Sequence, residues 1–151
     1  HASTGLYKTE VMGIKKYSNQ PRGCALSYLI HYMYRFSSKE AQYQWNQFKK
    51  HMMVDIIGIK GFREYLDSYE GSWTPDSGPI VKGLGIAATG LALNASTTVG
   101  DKSTYYSLEK GMRKVYKLLE KGDYIPGLNM VTRIGTDVLA SSIWLNAETK
   151  V

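Results

Sequence analysis

The chain has 151 residues, 43% of them hydrophobic, with a formal net charge of +6. That is enough apolar material for one core and too little for a polytopic membrane protein, so a single domain over residues 1–151 is expected. Its 19 basic and 13 acidic residues are interleaved, which reads as solvated helix faces and not as a nucleic-acid footprint. The lone Cys24 excludes an internal disulfide and leaves the compartment open. The opening residues have no initiator Met and no signal-peptide core, which suggests a processed or truncated fragment.

In chain order, residues 1–18 carry Tyr7, Val11, Met12, Ile14 and Tyr17 at a weak helical spacing, read as the end of a helix plus a connection. Pro21, Arg22, Gly23 and Cys24 then signal a helix start, followed by Leu26, Leu29, Ile30 and Met33 on one face and a surface widened by Tyr28, Tyr32 and Phe36. Ser37 and Glu40 have the spacing of a capping box, ahead of a narrow stripe of Ala41, Trp45, Phe48 and Met52. Residues 55–73, with Gly58, Gly61 and Gly71 among aromatic and charged side chains, read as a functional loop.

Thr74, Pro75 and Asp76 combine three helix-start signals: a hydroxyl cap, a proline at the first position, and a negative charge facing the dipole. The run from Pro79 to Val99 is apolar nearly all round and predicts a central helix. Gly83, Gly85 and Gly90 within it would each cost about 1 kcal/mol against alanine unless close packing offsets them. Gly100 ends that helix and Ser103 caps an amphipathic one carrying Leu108, Met112, Val115, Tyr116 and Leu119 up to Gly122. Lys110, Arg113, Lys114 and Lys117 lie on its wet face. A last apolar helix follows Gly135, Thr136 and Asp137. No stretch alternates with period two over a useful length, so strands are not expected.

The helix starts at residues 21–24, 75–78 and 133–137 recur at roughly 55–58 residues, long enough for a helical hairpin and a loop. Alternating buried and amphipathic helices predict an all-α fold, an α/α toroid whose parallel inner helices open their N-termini at one end. That end gathers Arg22, Cys24, Arg63, Glu64, Tyr65, Trp73, Asp76, Ser77 and Asp137.

The runs Gly61-Phe62-Arg63-Glu64-Tyr65, Asp76-Ser77-Gly78-Pro79-Ile80 and Gly85-Ile86-Ala87-Ala88-Thr89-Gly90 resemble part of bacterial α/α-toroid proteins, including uncharacterised relatives of linalool dehydratase-isomerase. The resemblance covers about residues 19–147 and implies an (α/α)6 toroid, six-hairpin in architecture, of which this chain holds the C-terminal half. It also implies that the missing half or a second copy completes the fold. The similar six-hairpin glycosidases imply a carboxylic acid pair in the central cavity.

Several residues carry both a chemical and a plain reading. Asp76 is a candidate general acid or base and equally an N-terminal helix residue. Glu64, with Tyr65 beside it, is a candidate second carboxyl, and with Arg63 it also reads as a surface ion pair. A glycoside substrate would make the Glu64–Asp76 separation decisive for stereochemistry. Cys24 at a helix start is a candidate nucleophile or proton donor, and also a small buried hydrophobe. Arg22, Arg63, Trp73, Ser77 and Asp137 are the candidate substrate-binding residues. His31 reads as a satisfied core histidine. No ligand spacing suggests zinc, and no metal or organic cofactor is expected. Lys82 and Asn94 interrupt the apolar run, so no membrane span is expected.

The function expected from this pattern is acid/base chemistry in a central cavity on a small molecule or an oligosaccharide, either glycoside hydrolysis or elimination and hydration. That describes a hydrolase or a lyase. The alternative is a non-catalytic binding or scaffold module using the same cavity.

Overall fold

The computed structural model describes residues 1–9, 20–66, 77–78, 80–81 and 83–120. Within them the chain is a small α+β assembly of α1 (Gly23–Met33), α2 (Ser38–Met52), β1 (Met53–Ile56), β2 (Ile59–Phe62), β3 (Ile80–Val81), β4 (Leu84–Gly85), α3 (Ile86–Thr98) and α4 (Lys102–Glu120). This overturns the all-α and α/α-toroid expectation. Two antiparallel hairpins, β1–β2 and β3–β4, occupy positions a toroid would give to loop and helix. The expectation of a missing half or second copy loses its ground with the toroid.

The helices follow their apolar spacing. In α2, Ser37 accepts the Glu40 amide as the capping pattern requires, and Ala41, Trp45, Phe48 and Met52 are all buried. Phe48 stacks on Phe62 with ring centroids 4.1 Å apart, and Trp45 closes the cluster at 5.6 Å from Phe62, which joins α2 to β2 through one aromatic core. α1 buries Leu26 and Ile30 but leaves Tyr28 and Tyr32 exposed, as is Phe36 in the turn after it, so its buried face is narrower than the sequence pattern suggests.

α1 and α3 run side by side in the same direction. Near their starts Ser27 Oγ donates to the Ala88 carbonyl at 3.1 Å, and near their ends His31 Nδ1 lies 2.6 Å from Thr98 Oγ1. α3 is buried nearly all round, from Ala87 and Ala88 to Ala95 and Ser96, as the apolar run predicts. The apolar helix itself starts at Ile86, because Ile80–Val81 and Leu84–Gly85, inside the run expected to be helical, pair as the β3–β4 hairpin. Gly83 sits at the hairpin turn with φ +84°, a conformation that side-chain-bearing residues rarely adopt, so Gly83 and Gly85 are turn and strand glycines and only Gly90 is helical. The proposed start signal at Thr74–Asp76 and the helix after Gly135 lie outside the described residues.

α3 ends in a Schellman motif, in which Asp101 N–H bonds the Ser96 carbonyl and Gly100 N–H bonds that of Thr97, with Gly100 at φ +78°. The cap of α4 is Asp101, not Ser103: Asp101 Oδ1 accepts the Thr104 amide at 3.0 Å. Asp101 Oδ2 also accepts from Trp45 Nε1 at 2.9 Å and Lys49 Nζ at 2.6 Å, which ties α4 to α2.

The stretch read as a functional loop is in part the β1–β2 hairpin, turned by Ile57 and Gly58 with φ 54° and 74°. Asp55 Oδ1 accepts the Gly58 amide, and Lys114 Nζ donates to the Gly58 carbonyl at 3.0 Å, fixing the turn beside α4. Residues 1–9 form no helix. After a turn they lie along α2, where the buried Gln44 accepts the Tyr7 amide and donates to the Gly5 carbonyl.

Candidate functional site

An α-helix leaves its first amides without partners, and at α1 no local side chain supplies them, since the Arg22 cap residue makes no side-chain cap bond. The partner comes from the other side of the sequence. The Gly23 amide donates to the Glu64 backbone carbonyl at 2.8 Å, and the Cys24 amide donates to Glu64 Oε2 at 3.1 Å. The other carboxyl oxygen, Oε1, accepts Arg22 Nε at 3.0 Å and lies 3.0 Å from Cys24 Sγ, whose S–H donates to it. Arg22, Cys24 and Glu64 are thus one buried cluster, with Glu64 at 0% exposure.

Two opposing influences act on that carboxyl. Burial is the larger and pushes the Glu64 pKa above its ordinary 4.5, while the Cys24 hydrogen bonds and the Arg22 charge pull it down without restoring it. Glu64 therefore holds its proton more readily than a surface glutamate. The arrangement places a thiol S–H directly against a carboxyl oxygen, a contact through which a proton can pass.

Close backbone approach makes room for the cluster. A Cβ on Gly23 would stand 2.1 Å from the Arg63 carbonyl oxygen, and one on Gly85 would stand 3.1 Å from both the Glu64 Cβ and its amide nitrogen. The Tyr65 ring lies under the Arg22 guanidinium, 5.8 Å from Cζ to ring centroid. Thr9 Oγ1 accepts the Arg22 amide at 3.0 Å and donates to the Gln20 carbonyl, anchoring the N-terminal segment at the same helix start. Between that segment and α1 runs a crevice of about 270 Å³, with Tyr7, Lys8 and Thr9 on one wall and Ala25, Leu29 and Met33 on the other.

Of the residues expected from sequence, the structure brings together Arg22, Cys24, Glu64 and Tyr65. Arg63 is half-buried, its amide bonded to the Met52 carbonyl and its backbone bridged to Leu84. It is not the surface ion-pair partner of Glu64, a place that Arg22 takes within the core. Ser77 is fully buried and its hydroxyl donates to the Gly78 carbonyl. Asp76, Trp73 and Asp137 lie outside the described residues, and so does the Glu64–Asp76 separation. Among the described residues no group of three or more His, Cys, Asp or Glu side chains is placed to hold a metal ion, and no helix is long and apolar enough to cross a membrane. Thr9 and the crevice had no signal in the sequence, because they arise from the packing of an extended segment on α1.

Compared with protein-family models, with curated proteins and with solved structures, the chain finds no match.

Proposed function

We propose that Glu64 and Cys24 form the acid/base centre of an enzyme acting on a small organic molecule, with Arg22 fixing the carboxyl. One observation carries this reading: a wholly buried carboxyl with a raised pKa is in 3.0 Å contact with the sulfur of the chain's single cysteine. The thiol donates to a carboxyl whose protonated form burial favours, which puts two groups able to exchange a proton in direct contact. The crevice along α1, which Ala25 lines next in sequence to Cys24, supports a small substrate over an oligosaccharide, since its volume of about 270 Å³ takes roughly one ring system. Its apolar wall of Leu29 and Met33 faces Lys8 and Thr9, which suits a molecule with an apolar body and a polar or anionic end.

Because Cys24 is the only cysteine, thiol alkylation reads this site alone. Iodoacetamide should label the folded protein with a rate–pH profile that shifts in Glu64→Gln, and small molecules that slow the labelling are candidate substrates. Their turnover should be abolished by Glu64→Gln in a protein that still folds. Labelling only at the rate of global unfolding, unchanged by Glu64→Gln, would remove the acid/base reading.

A second reading is favoured by the full occupation of both Glu64 oxygens by α1 and Arg22. In it the cluster is a buried anchor and the crevice a binding site of a non-catalytic module. Here Glu64→Gln lowers stability and leaves ligand affinity unchanged.

A further inference from the structure

The exposed side of α4 carries charge in an order its packing does not use. At about 100° per residue, Tyr106, Lys110, Arg113 and Lys117 fall within a roughly 60° sector, opposite the buried Leu108 and Met112. Lys114 lies roughly 40° beyond that sector, on the side that faces the β1–β2 hairpin, whose tip it holds through its bond to the Gly58 carbonyl. Lys60 is exposed on the same hairpin, whose backbone packs at Gly111. The acids near this face are Glu109, which is ion-paired to Arg113, and Asp55, whose Oδ1 is taken by the turn.

At the hairpin tip, beside Lys114, stands Ile57. It is 87% exposed and has φ 54°, so a β-branched apolar side chain is held out into solvent by a backbone conformation it disfavours. The two-residue turn requires the positive φ, but it requires neither a β-branched apolar side chain there nor its exposure.

We infer that this face docks on an anionic lipid bilayer, with Ile57 entering the headgroup–acyl boundary and the α4 basic side chains lying against the headgroups. Charge complementarity selects a polyanion, and the apolar tip selects among polyanions. A bilayer surface takes an apolar tip flanked by Lys114, together with the α4 basic side chains and an exposed tyrosine such as Tyr106, 55% exposed, without the base unstacking that a nucleic-acid duplex would need to admit Ile57. This is attachment to a surface, with no segment crossing it, and it does not depend on the chemistry assigned to Glu64 and Cys24.

The test is co-sedimentation of the intact chain with vesicles of phosphatidylcholine alone and of phosphatidylcholine with phosphatidylserine. Binding is expected only to the second, weakening with salt and falling about fivefold for each of Lys110→Gln and Lys117→Gln. Ile57→Asn should weaken binding while raising the unfolding temperature, so that lost binding is not lost folding. Lys39→Gln, on α2, should leave binding unchanged. Absence of serine-dependent binding overturns the proposal, as does an equal effect of Lys39→Gln, which would assign the attraction to net charge. Binding to duplex DNA that matches vesicle binding and survives Ile57→Asn overturns it in favour of a nucleic-acid surface.

Discussion

Glu64 caps a helix to which it does not belong: its Oε2 accepts the amide of Cys24 at 3.1 Å, from 40 residues further along the chain. The dipole of α1 and the Arg22 guanidinium thus converge on one buried carboxyl, and the loop after β2 is fastened to the start of α1. Removing it should expose how much of the fold rests there. Glu64→Ala leaves Arg22 buried without this carboxylate, and truncating one member of such a pair costs about 3–5 kcal/mol. Urea unfolding of the variant measures it, and a loss below about 1 kcal/mol would mean that the cluster adds little to stability.

The same residue gives a pH dependence of defined sign. Its folded pKa is raised above the ordinary value, so its contribution is fully present below the unfolded pKa and is lost as pH rises through the folded one. The stability of the wild type relative to Glu64→Gln should therefore be greatest in acid and decline towards neutrality. Chemical denaturation of both proteins between about pH 4 and pH 8 reads this difference. A difference that grows with pH would show that Arg22 and Cys24 outweigh burial.

Asp101 should behave in the opposite way. Burial works to raise its pKa, but the bonds from Lys49, Thr104 and Trp45 outweigh it and hold the carboxyl well below the usual range. Its contribution is present above the unfolded pKa of about 3.9 and is lost as pH falls below it towards the folded value. Asp101→Ala also removes the α4 cap and the acceptor for Trp45 Nε1, a combined cost of about 2–3 kcal/mol at neutral pH. The variant's melting temperature at pH 7 and at pH 2.5 should differ less from each other than those of the wild type.

These two carboxylates mark what the sequence could and could not disclose. Helices whose burial repeats every three or four residues are legible, and Ala41, Trp45, Phe48 and Met52 lie where their spacing puts them. The hairpins are not legible, because strands of two and four residues are too short to establish alternation, and the β1–β2 turn is Ile57–Gly58 without the asparagine or aspartate that announces such a turn. Gly83 and Gly85 look like the small residues of a crowded helix, although one serves a left-handed turn and the other a close approach to Glu64. The types of the candidate site residues, acid and thiol near a helix start, were readable. Their pairing was not, because the adjacent Arg63 offers a local partner while the actual one, Arg22, is 42 residues away.

Gly23 tests the closeness of that junction. A methyl group there would meet the Arg63 carbonyl oxygen at 2.1 Å, just after β2, and the Ala88 Cβ of α3 at 2.8 Å. Gly23→Ala should destabilise by about 1–3 kcal/mol, despite alanine's better helix propensity. It should also raise the rate of Cys24 alkylation, because relief of the clash requires α1 to part from the Glu64 loop. An unchanged melting temperature would show that the two backbones are not in contact.

Ile57 offers the converse, a substitution that should stabilise. Its φ of 54° belongs to a two-residue turn that needs positive φ at both positions, and Gly58 satisfies the second at 74° without strain. Isoleucine at the first position is held there at a cost of about 1–2 kcal/mol, and with 87% of its surface exposed it regains little by burial. Asparagine tolerates that conformation, so Ile57→Asn should raise stability by about 1 kcal/mol with the Asp55–Gly58 and Lys114–Gly58 bonds intact. Thermal unfolding of the single variant decides it. A fall in melting temperature would mean that Ile57 makes stabilising contacts in solution, which would remove the reason to regard its exposure as kept for a partner surface.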